Sequence, residues 1–138
     1  MSQTSLPRDT PFPTRPARHA QRLRVLVDLT SADPARIREL AHAFSTVNSE
    51  DILQVRTLQA NRDWTGLGVL AHRIKGAAQM TDDTQLSALC AALELLCADP
   101  AAAASALDDY TQRLEIALEE FGESFRRIAQ DARNAEDA

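Results

Sequence analysis

The chain has 138 residues, of which 24 are alanine, only 4 are glycine and 4% are aromatic, so it reads as one helical domain and not as a sandwich or barrel of short strands. Its 20 acidic and 15 basic residues leave a net charge of −5, which disfavours nonspecific nucleic-acid binding, and no apolar run approaches the roughly 18–20 residues of a membrane span. Two cysteines, Cys90 and Cys97, are too few for a disulfide framework or a usual zinc site, and no apolar signal region opens the chain, so a cytoplasmic all-α protein is expected.

Residues 1–17 hold four of the six prolines (Pro7, Pro11, Pro13 and Pro16) and almost nothing apolar, the pattern of a flexible linker or tail. A short helix is predicted from about Arg18 to Leu29, with Leu23, Leu26 and Val27 on one side. Asp33-Pro34 is a helix start, Asp as cap and Pro at the first helical position. Ile37, Leu40, Phe44, Val47, Val55 and Leu58 then recur at helical spacing toward a turn at Asn61-Arg62-Asp63. Trp64 to about Thr81 forms the next helix, carrying Leu67, Leu70, Ile74 and Ala77, and Asp82-Asp83 breaks it and caps another. That third long helix carries Leu86, Leu89, Cys90, Leu93, Leu96 and Cys97. Asp99-Pro100 repeats the start signal, and the fourth long helix places Leu107, Leu114, Phe121 and Ile128 at sevenfold spacing, with Thr111, Leu118 and Phe125 between them. Residues 133–138 are small and polar and are expected to be disordered. Short connections make successive helices antiparallel, and four apolar stripes must bury one another. The expected fold is an antiparallel up-down-up-down four-helix bundle over residues 18–132, with a short extra N-terminal helix.

The helix that begins at Trp64 carries the functional signal. At about 100° per residue, Leu67, Leu70, Ile74 and Ala77 share one side, while His72 lies roughly 160–200° from Leu70 and Ile74 and projects toward solvent. Gly68, Val69, Lys75 and Gly76 are its neighbours at three and four residues, and Gln79 follows one turn on. Lys75 is the only lysine in the chain; the other fourteen basic residues are arginine. Two of the four glycines flank the histidine, each costing a helix roughly 0.5–1 kcal/mol relative to alanine. That cost implies that space beside the imidazole matters. Nothing acidic is expected on this patch.

An exposed imidazole beside a lone ammonium and bare backbone suits a phosphoryl carrier. Neutral imidazole, with an unperturbed pKa of about 6.5, is a competent nucleophile at neutral pH. A nearby ammonium stabilises the anionic oxygens of the transferred group. The chain has no Walker loop and no carboxylate cluster beside His72 in sequence, so donor chemistry and metal are expected from a partner.

The segment His72-Arg73-Ile74-Lys75-Gly76-Ala77-Ala78-Gln79-Met80 resembles the phosphoacceptor motif of histidine-containing phosphotransfer (HPt) domains, marked by a His-x-x-Lys-Gly core followed by small residues. Leu89-Cys90-x-x-Leu93-Glu94 is similar to the third helix of that family, and Asp63-Trp64 to the start of its motif helix. The resemblance covers residues 19–130 and is closest to the C-terminal modules of unorthodox hybrid sensor histidine kinases; Asp82 stands where many members have glycine. It implies a four-helix bundle with the histidine exposed, and a phosphorelay of two-component signalling. His72 takes a phosphoryl group from a receiver-domain phosphoaspartate, at Nε2, and passes it to the aspartate of a response regulator. Lys75 would balance phosphate charge, Gly76 would allow close approach, and Gly68, Val69, Arg73 and Gln79 would belong to the docking surface. The domain itself would carry no cofactor and no ATP site; magnesium would sit on the partner receiver.

Other roles stay open beside this one. A non-catalytic helical docking or dimerisation module would keep the bundle without needing His72 exposed beside Lys75. A phosphoacceptor domain of a chemotaxis-type kinase would be phosphorylated by a kinase domain instead of a receiver. The tail before the bundle and the end just after its last helix favour a C-terminal module, on the cytoplasmic side of a sensor kinase. A monomer is expected, because the four stripes satisfy each other. His19 and His42 lack the setting of His72, Cys90 and Cys97 read as small core residues, Trp64 and Tyr110 as packing residues, and the arginines at 15, 18, 22 and 24 as a solvated helix entry.

Overall fold

A computed structural model describes residues 13–138. Within them the chain is all-helical: α1 (Arg15–Thr30), α2 (Pro34–Ala60), α3 (Trp64–Met80), α4 (Thr84–Ala98) and α5 (Ala104–Asp137), with no strand among the described residues. Three aspartates set three helix starts. Asp33 accepts from the Ala35 N–H, Asp63 from Gly66 and Asp83 from Leu86, each satisfying a donor the helix cannot. The turns after α2 and α3 are built alike. Arg62 and Asp82 both take φ of 55°, and the next N–H reaches back to Leu58 O and Ala78 O. Asp82 therefore keeps a left-handed turn that glycine would adopt without strain.

Several expected boundaries move. Arg15–Ala17, assigned by sequence to the tail, are the first turn of α1, capped by the Thr14 hydroxyl with Pro16 in the position proline tolerates. Residues 1–12 of the tail fall outside the described residues. Asp99-Pro100 is not a helix start: Asp99 bonds the Ala101 N–H in a local turn, and α5 begins at Ala104 without a side-chain cap. The C-terminal segment 133–138 is helical through Asp137, because α5 is anchored there by Arg38 of α2 pairing with Glu136.

The core confirms the sevenfold stripe of α5, where Leu107, Thr111, Leu114, Leu118, Phe121, Phe125 and Ile128 are all buried. Ile37, Val55, Leu67, Leu70, Ile74, Leu86, Cys90 and Leu93 meet them from the other long helices. On α2 the inward line is partly polar: Val47 is exposed, while Ser45, Asn48 and Asp51 are buried. Asn48 donates to Leu118 O across the α2–α5 contact, and its amide occupies the place a Cβ on Gly122 would take. On α1, Leu23 is exposed and Arg22 is buried in its stead, which overturns the solvated entry for that arginine.

Registers of contact fix how the helices lie. Asp51 meets Arg73 and Leu58 lies against Gly66, so α2 and α3 run in opposite directions. Gly68 meets Cys97 and His72 meets Glu94, so α3 and α4 do too. Arg38–Glu136, Asn48–Leu118 and Gln59–Asp108 give the same relation for α2 and α5. The result holds one face of α3 open to solvent between α2 and α4.

Candidate functional site

His72 stands on that open face, its side chain 72% exposed. The residues that bury α3 are Leu67, Leu70, Ala71, Ile74 and Ala78, on the opposite side of the helix. Lys75, one turn on, is mostly covered, and Gly76 is exposed. A Cβ added at Gly76 would meet nothing within 4 Å, so nothing in this chain's own packing requires glycine there. The space it leaves faces outward.

The patch is not free of acid, contrary to the sequence expectation. Glu94 of α4 reaches across to it and binds two groups at once. One carboxylate oxygen lies 2.9 Å from His72 Nδ1, the other 2.6 Å from Lys75 Nζ. The Lys75 hydrogen bond first, and the His72 bond with it, hold the Glu94 carboxyl below its ordinary value against the opposing effect of burial. An ionised carboxylate only accepts, so the bond to it requires that Nδ1 carry the proton. In the neutral ring, Nε2 is then the atom with the free lone pair. A signal for Glu94 existed in the sequence, since it is the one charged residue of Thr84–Ala98. Its role needed the register of α4 against α3, which spacing within one helix does not supply.

The remaining residues separate. Val69 is 69% exposed, and Gln79 is exposed, one turn from Lys75. Gly68 is turned toward α4, where a Cβ would come 3.1 Å from the Cys97 Cβ. Its smallness serves the α3–α4 contact that brings Glu94 within reach. Arg73 leans to the other flank and pairs with buried Asp51 of α2. Burial pushes the Asp51 carboxyl up, and the arginine opposes it. Arg73 thus ties α3 to α2 while half of its side chain remains exposed.

The other candidates sit elsewhere. His42 is exposed on α2. His19 is partly buried on α1 with Nδ1 2.7 Å from the Ser124 hydroxyl, and burial, then Arg127 and Arg22, lower its pKa. Cys90 is buried and its thiol is pushed up to about 12 by burial, leaving it unreactive. Among the described residues no three His, Cys, Asp or Glu side chains gather as a metal-holding group, and no helix is long and apolar enough to cross a membrane.

An exposed imidazole with a defined nucleophilic nitrogen, a carboxylate behind it and an ammonium beside it can take up and release a phosphoryl group. Comparison with known proteins agrees with that chemistry. The family model described as Hpt domain matches residues 17–136. No curated protein and no solved structure matches the chain. The match spans all but the ends of the chain and includes the whole His72 face, so the chain belongs to the Hpt domain family, whose members are phosphocarriers of histidine phosphotransfer in two-component phosphorelays.

Proposed function

We propose that His72 is the phosphoacceptor, that it is charged by a phosphoaspartate on a receiver domain, and that it passes the group to the aspartate of a response regulator. The observation that carries this is the Nδ1–H bond to Glu94, which leaves Nε2 of an exposed imidazole as the nucleophile. The Nε2 lone pair attacks phosphorus, the bond from phosphorus to the aspartate oxygen breaks, and that oxygen leaves with the electron pair. The ring keeps its Nδ1 proton and gains positive charge, which the Glu94 carboxylate stabilises. Transfer to the second receiver runs the same step backward, with neutral imidazole as the leaving group. Magnesium belongs to the receiver in this scheme, and no cofactor is bound by the chain.

Lys75 is held by Glu94 in the resting protein and is placed to turn to the phosphoryl oxygens once they arrive. Gly76 gives the partner its approach, and Val69, Gln79 and the exposed part of Arg73 border it. The antiparallel registers support an up-down-up-down four-helix bundle of α2–α5 with α1 as an extra helix, which acts as a monomer. The test is to incubate the protein with a radiolabelled phosphorylated receiver. An acid-labile, base-stable label is expected, absent in His72→Gln and retained in His42→Gln; loss in His42→Gln alone would assign the wrong histidine.

A further inference from the structure

We propose a second binding site, for a small amphiphile bearing one negative charge, in a groove between α4 and α5 whose end is closed by α1. The groove encloses about 580 Å³, within the roughly 300–1,000 Å³ of small-ligand sites, and shares no residue with the His72 face. Its apolar lining comes from Leu86, Leu89 and Ala92 of α4 and Ala117 of α5, the alanines leaving the trough between larger neighbours. Along α5 it runs from Tyr110 to Glu120, about 15 Å at the helical rise.

Charge decides what fits. Four arginines line the groove in an otherwise acidic protein. Arg18 and Arg22 are matched by Glu120 and Asp83, and Arg113 by Asp109. Arg15 has no ion pair among the described residues and lies in the first turn of α1, where the helix dipole adds positive potential and that turn carries no acidic residue of its own. Among the described residues one cation is left surplus at the α1 end, and with an apolar trough leading from it this fits an acid whose carboxylate meets Arg15 and whose apolar body lies toward Tyr110. A partner helix fits less well, because α1 stands across one end of the trough.

The probe is sodium decanoate, titrated into the full chain and followed by calorimetry and by alanine methyl shifts. Saturable binding of one molecule is expected. Arg15→Glu should raise the Kd at least tenfold, Ala92→Leu should abolish binding with helicity and melting midpoint preserved, and 1-decanol should bind at least tenfold more weakly. Binding that does not saturate, that is equal for decanol, or that survives both substitutions overturns the proposal. So does a response only to acidic helical peptides. Phosphorylation of His72 is read separately and should be unchanged in Arg15→Glu, so the two sites stand or fall independently.

Discussion

At the scale of single residues, three side chains divide one task. In the proposed transfer the imidazole is the nucleophile, the Glu94 carboxylate against Nδ1 sets which nitrogen that is, and Lys75, on the other carboxylate oxygen, is the mobile positive charge. Removing each should therefore have a different signature. Lys75→Ala is expected to slow phosphoryl transfer while helicity and ring tautomer stay as they are. Glu94→Ala is expected to slow it about threefold to tenfold, some 0.6–1.4 kcal/mol of barrier, and to shift the ¹⁵N resonances of His72 toward the other tautomer. Glu94→Gln, which still accepts from Nδ1, should retain more of the rate than Glu94→Ala. Parental rates in both Glu94→Ala and Glu94→Gln would show that Glu94 is a bystander. His72 and Lys75 were legible from sequence because one helix carries both and because each is rare in its setting. Glu94 was not, since its position beside them depends on a contact between helices.

At the scale of elements, the turns decide the bundle's geometry without glycine. Asp82 holds a left-handed φ of 55°, and its carbonyl also accepts from Gln21 of α1. Asp82→Gly removes the side-chain strain at that φ and keeps both backbone bonds, so a gain of about 0.5–1 kcal/mol in urea unfolding is expected. A loss would mean that the aspartate side chain contributes something the backbone does not. The Asp caps at 33, 63 and 83 made α2, α3 and α4 readable to within a residue. The start of α5 was misread because Asp-Pro also forms a local turn, and Asp99 uses its carboxylate on Ala101 instead of opening a helix. The polar line of α2 was misread for a related reason. Val47 was placed in the apolar stripe but is exposed, while Asn48 and Asp51 turn inward, each with a partner on a neighbouring helix that makes burial tolerable.

At the scale of the whole molecule, α1 is fastened to the rest through buried charge. Arg22, 2% exposed, bonds Asp83 at the start of α4 and Glu120 on α5, and Arg18 shares Glu120. Burial alone would raise the Glu120 carboxyl, but Arg22 and then Arg18 outweigh it and hold it below its ordinary 4.5. A carboxyl lower in the folded state than in the unfolded chain contributes stability that is complete above about pH 4.5 and is lost as pH falls through the folded value. Arg22→Met leaves Asp83 without its counter-charge and Glu120 with Arg18 alone, and a loss of about 3–5 kcal/mol at pH 7 is expected in urea unfolding. The variant's melting midpoint should also fall less steeply between pH 5 and about pH 3 than that of the parent. A cost below about 1 kcal/mol would show that the network is not what secures α1. Arg22 was read from sequence as solvated because arginine usually is; its burial follows only once Asp83 and Glu120 are brought to the same end of the bundle.

The most direct test of the central claim is a long-range ¹H–¹⁵N spectrum of the His72 ring after phosphorylation by a receiver. Phosphorus coupling at Nε2, with the proton retained on Nδ1, is the predicted result. Coupling at Nδ1, or a phosphorylated protein whose His72 ring is unchanged, would contradict it.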